Sequence, residues 1–118
     1  MATYSKLALS GSTNGRQVKI ASTTSTAGTT IHAAVGSTTG FDEVWIYATN
    51  NHSAAAVLTL QWGSTSTPDD DINMSIPSKT GLYLLVPGLV LQNSLTVKAY
   101  ASVVNVISLS GWVNRITA

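Results

Sequence analysis

Apolar positions along this chain recur every second residue, in short runs separated by Gly, Ser, Thr, Asn and Pro. The run Asp42-Glu43-Val44-Trp45-Ile46-Tyr47-Ala48-Thr49 puts Val44, Ile46 and Ala48 on one side and Trp45 and Tyr47 on the other. In Ala54-Ala55-Ala56-Val57-Leu58-Thr59-Leu60-Gln61-Trp62, the residues Leu58, Leu60 and Trp62 alternate with Thr59 and Gln61. Alternation of this kind is that of a half-buried β-strand, with one face in a core and one toward water. Asn50-Asn51-His52-Ser53 separates the two runs, which predicts an antiparallel hairpin with a loop of four to five residues. An antiparallel strand with one wet face needs only one apolar face. The second, aromatic face of the Asp42–Thr49 strand therefore calls for a partner.

The rest of the chain reads the same way. Residues 1–15 are expected to form an N-terminal arm or edge strand and a loop, with a single β-sandwich domain over 16–118. Strands are expected at 16–21, at 29–35, and at 72–76, where Ile72, Met74 and Ile76 alternate with Asn73 and Ser75. Ser22 to Gly28 is a Ser/Thr-rich connection. Leu82–Val86 is apolar and closed by Pro87-Gly88; Leu89-Val90-Leu91 follows. In the next strand Leu95, Val97 and Ala99 alternate with Thr96, Lys98 and Tyr100. The last spans about 105–116, with Ile107, Leu109 and Val113 on one face and Ser108, Ser110, Trp112 and Asn114 on the other. Gly111 in its middle predicts a bulge or a close backbone approach. No window shows sustained helical periodicity. About eight short strands predict an all-β, two-sheet antiparallel sandwich: a jelly roll, with an immunoglobulin-like sandwich as the alternative.

Composition narrows the function. Only 9% of the 118 residues are charged, against about 25% in ordinary domains. Ser and Thr supply 31 residues, so the surface is built from hydroxyls, amides and small side chains. Net charge is +1 and the six cations are scattered. Phosphate neutralisation needs clustered Lys and Arg, so nucleic acid is not an expected partner. No run approaches the roughly 20 apolar residues of a membrane helix, and no membrane partner is expected. There is no cysteine, hence no disulfide or thiolate chemistry. A surface with so little charge suits a subunit held in an assembly better than a free monomer.

Candidate chemistry is sparse. His32 and His52 are the only imidazoles, and neither lies in a nucleophile or metal motif. Asp69-Asp70-Asp71 lacks the spacing of a calcium loop and reads as a solvated loop entering a strand. No catalytic residue, metal ligand or cofactor site is expected. The aromatics carry more. Trp62 reads as core, whereas Trp45, Tyr47, Tyr100 and Trp112 are the candidate interface residues, because Trp and Tyr bury large areas at low entropic cost. The same rings stack on sugars, so a carbohydrate-binding module competes.

The segments Leu82–Leu91, Leu95–Ala99 and Gly111-Trp112-Val113-Asn114-Arg115-Ile116, with Asp42–Ala48 and Gln61-Trp62-Gly63, resemble small virion proteins of tailed bacteriophages encoded near the major capsid protein. The likeness covers nearly the whole chain through structural motifs and has no catalytic signature. It implies a non-enzymatic head decoration (cement) protein, or another minor virion protein of head or tail. Such a protein is expected to be a homotrimer bound to the major capsid protein on the virion surface, after synthesis in the host cytoplasm.

Overall fold

Among the described residues the period-two pattern folds into nine antiparallel strands in two sheets that share one core. A computed structural model describes residues 2–26 and 28–117. Met1, Ala27 and Ala118, which belong to the expected arm, the Ser/Thr-rich connection and the sandwich domain, lie outside the described residues. The strands are β1 (Thr3–Ala8), β2 (Val18–Lys19), β3 (Thr29–Ala33), β4 (Phe41–Asn50), β5 (Ala56–Gly63), β6 (Asp71–Ile76), β7 (Tyr83–Leu91), β8 (Thr96–Ala101) and β9 (Ile107–Thr117). One sheet has the order β1-β9-β4-β7, with β2 also paired to β9; the other has the order β3-β8-β5-β6. The protein is an all-β antiparallel sandwich.

The core lies between the sheets. Val44, Ile46, Ile107 and Leu109 of the first sheet are fully buried, as are Leu58, Leu60, Ile76 and Val97 of the second, with no side chain more than 1% exposed. Each such side chain stabilises the fold by about 1.5–3 kcal/mol relative to exposure. Along β4 the alternation is unbroken: Asp42, Val44, Ile46, Ala48 and Asn50 point in, and the odd-numbered residues are half-buried on the outer face.

Three sequence expectations change. The hairpin across 50–55 does not form, because β4 and β5 belong to different sheets. The segment is an arch that carries the chain over the end of the sandwich. Asn50 makes the corner: its buried amide nitrogen donates to the carbonyls of Ala54 and Ile76, and its Oδ1 accepts from the His52 N–H. Turn-forming residues permit hairpin and arch alike. The core faces of β4 and β5 decide, because they meet across the interior rather than side by side.

The Thr59/Gln61 face of β5 is not wet. Thr59 is buried and donates to Asn73 Oδ1, and Gln61 is fully buried. The Gln61 side-chain oxygen Oε1 lies beside Gly28, 3.4 Å from where a Cβ on that glycine would sit, at the end of the Ser/Thr-rich connection. Nor does Pro87-Gly88 end a strand. β7 runs through it, skipping Gly88 in its register with β4 between Val44↔Leu89 and Trp45↔Pro87. This is a bulge with Gly88 at φ +81°.

Gly111 meets its expectation as a close approach. A Cβ there would sit 1.9 Å from the Trp45 carbonyl oxygen.

Candidate functional site

The outer face of the five-stranded sheet carries an aromatic cluster built by strand register. Trp45 on β4 stands opposite Trp112 on β9. Their rings stack with centroids 5.7 Å apart and planes 10° from parallel. Tyr47 stacks on the same Trp112 at 5.9 Å. From β1, the Lys6 ammonium sits 4.8 Å from the Trp112 ring centroid, a cation–π contact. On the other side of Trp45, the missing side chain of Gly88 leaves room for the indole, since a Cβ there would lie 3.0 Å from it. The result is a ladder across four strands: Lys6, Trp112, Trp45 and the backbone at Gly88. Leu84 and Val90 of β7, in register with Tyr47 and Glu43, extend this face with exposed apolar surface.

A polar rim adjoins the ladder. Glu43 Oε1 accepts hydrogen bonds from Trp45 Nε1 at 2.8 Å and from Asn114 Nδ2 at 3.1 Å. The bond from Trp45, then that from Asn114, holds the Glu43 carboxyl below its ordinary pKa. A groove of about 410 Å³ opens beside it, lined by Tyr4, Ser5, Lys6, Glu43, Asn114 and Ile116.

Of the four sequence-predicted interface residues, three come together: Trp45, Tyr47 and Trp112. Tyr100 does not join them. It lies on β8 in the other sheet, half-buried on a separate face. The sequence alternation orients each ring correctly but says nothing about which sheet a strand enters. Trp62 is half-buried against the core.

Sequence reasoning missed a second constellation, inside the sandwich. Asp42, 0% exposed, is its hub. Arg115 grips it bidentately, Nε to Oδ1 at 2.8 Å and Nη2 to Oδ2 at 3.0 Å. His32, also buried, approaches Oδ2 with Nε2 at 2.7 Å, and the Val35 N–H donates to the same oxygen at 3.3 Å. Burial alone would raise the Asp42 pKa. The hydrogen bonds from Arg115 and His32, with the charge of Arg115, outweigh it and hold the carboxyl below the ordinary 3.8.

The other imidazole nitrogen, Nδ1, accepts from the Ser10 N–H at 3.0 Å, while the Ser10 hydroxyl accepts from Ala33 N–H. The bond at Nδ1 makes Nε2 the protonated nitrogen of a neutral ring, which donates to Asp42. Ser10, His32 and Asp42 are thus neighbours, with the Ser10 hydroxyl turned to the Ala33 N–H and both imidazole nitrogens engaged. In this geometry the trio fastens β3, β4 and the segment after β1 together. His52 lies in the arch, and its carbonyl accepts from the Ser78 hydroxyl. Asp70 closes a local turn with the Ser66 N–H. No group of three or more metal-capable side chains occurs among the described residues.

Compared with known proteins, the chain matches no family model, no curated protein and no solved structure.

Proposed function

We propose that the protein is a non-catalytic structural subunit that assembles through the outer face of its five-stranded sheet, as a decoration protein on the head of a tailed bacteriophage. The observation that carries this reading is the ladder of Trp45, Tyr47 and Trp112, ordered by stacking and flanked by exposed Leu84 and Val90. Rigid aromatics anchor interfaces because little entropy is lost when they are covered. The near absence of charge supports the same reading, as does the resemblance to small virion proteins. The strand order, β2 and β1 beside β9, β4 and β7 against β3, β8, β5 and β6, favours a jelly roll over the immunoglobulin-like alternative. In this proposal the partners are sister copies in a homotrimer and the major capsid protein, on the virion surface.

A carbohydrate-binding role is the second reading, and the groove beside Glu43 and Asn114 is the feature in its favour. Against it, the faces of Trp112 are covered by Trp45 and Lys6, and a sugar needs an open ring face.

Trp45→Ala separates the two. On the decoration reading, the variant keeps most of its stability to urea but loses oligomer in light scattering and binding to purified heads. Saturable binding of wild type to an oligosaccharide panel, with no binding to heads, would reverse the assignment. Cryo-electron microscopy of the particle locates the subunit directly.

A further inference from the structure

Among the described residues, β1 is the one strand without a buried or half-buried residue. All six residues from Thr3 to Ala8 are exposed, and the Tyr4 ring is 73% exposed. An edge strand ordinarily turns one face into the core. This one is held by its main-chain ladder to β9, from Thr3↔Thr117 to Ala8↔Trp112, and by Lys6 over Trp112. The boundary with the body is abrupt. Leu9, the next residue, is 2% exposed in the core. Beyond it, the Ser10 N–H bonds to His32 and the Gly11 N–H to the Ile31 carbonyl, fixing this segment on β3.

The slot that receives β1 is equally well defined. β2 occupies the neighbouring part of the same β9 edge, at Ser108 and Leu109. The remaining edge, Trp112 to Thr117, takes one six-residue strand and seats its lysine on Trp112. Every copy of the chain carries the same slot and the same arm. A strand from another copy makes the same ladder bonds and the same cation–π contact, so exchange sacrifices no pairing. Trp112 is at once the seat of the arm and the middle of the aromatic ladder, so arm and ladder form one continuous surface.

We propose that β1 is an exchanged arm: in the assembled protein, the strand of one copy pivots at Ala8–Leu9 and completes the β9 edge of the next copy. Repeated head to tail, the exchange gives a closed ring when the rotation between copies closes, as in the homotrimer proposed above. The inference deepens the self-assembly part of the proposed function and is independent of the shell.

Because the chain has no cysteine, introduced thiols report the pairing cleanly. Thr3 and Thr117 are ladder partners near the chain ends. Thr3→Cys and Thr117→Cys proteins, mixed in equal amounts and mildly oxidised, should form a disulfide-linked heterodimer several-fold more abundant than a control pairing Asp69→Cys with Thr117→Cys. The double variant Thr3→Cys/Thr117→Cys should form covalent multimers no larger than the oligomer seen by light scattering. Closure of the double variant only within its own chain, in a sample that scatters as an oligomer, would refute exchange and leave self-assembly standing. The same closure in a sample that scatters as a monomer would refute both.

Discussion

Asp42 is the residue on which most connections converge. It ties β4 to β9 through Arg115, to β3 through His32, and through His32 to the backbone at Ser10. Its position was legible by parity. Asp42 shares its face with Val44, Ile46 and Ala48, and Arg115 shares its own with Val113. An inward aspartate and an inward arginine at the ends of two strands form the signature of an internal ion pair. The partnership with His32 was hidden, because a register shift between Thr30 and His32 turns both Ile31 and His32 inward. Replacing Asp42 by Asn leaves Arg115 without its counter-charge. We expect a loss of about 3 kcal/mol at pH 7, the low end for a broken buried pair because Arg115 still reaches water. The pH dependence follows from the lowered pKa. The folded state holds the carboxylate more tightly ionised than the unfolded chain does. The stabilisation is therefore present above the ordinary 3.8 and is lost as pH falls through the lower folded value. Urea midpoints of wild type and Asp42→Asn should differ clearly at pH 7 and converge in acid. A gap that persists at pH 2 would show that the effect is one of packing rather than charge.

At the scale of elements, most strand positions and inward faces were readable because a period of two leaves only two choices per strand, although the strand expected at 16–21 is only Val18–Lys19 and the Thr59/Gln61 face is buried. Pairing was not readable, because it depends on which core faces meet across the interior. That is why 50–55 looked like a hairpin and is an arch, and why Tyr100 was grouped with rings on another sheet. Special backbone positions were half legible: Gly111 stood out in mid-strand as a close approach, whereas Pro87-Gly88 looked like an ending and is a bulge that makes room for Trp45. Gly111 is the stricter requirement. Any side chain there would collide with the Trp45 carbonyl and force β9 away from β4. Gly111→Ala should cost at least about 3 kcal/mol, among the larger single-residue effects, and should also disorder the Trp45–Trp112 stack. Urea titration gives the first and near-ultraviolet circular dichroism the second. An unchanged aromatic signal would mean that the ladder tolerates separation of the two strands.

For the whole molecule, stability comes from apolar packing and backbone ladders, with the ionic contribution confined to the cluster around Asp42 among the described residues. The Arg115–Asp42 pair is the sole acid–base bridge among the described residues apart from the His32–Asp42 contact, and its aspartate is buried. Screening acts on exposed charges and hardly on enclosed ones. The urea midpoint at neutral pH should therefore stay within error between low and moderate sodium chloride; a marked fall would reveal surface pairs that matter. The register of the outermost strands has a separate consequence. Thr3 faces Thr117 across a ladder about 5 Å wide, so sequences fused to the two ends leave from one corner. Complementary halves of a split fluorescent reporter placed there would be brought together, whether the two strands come from one molecule or from two.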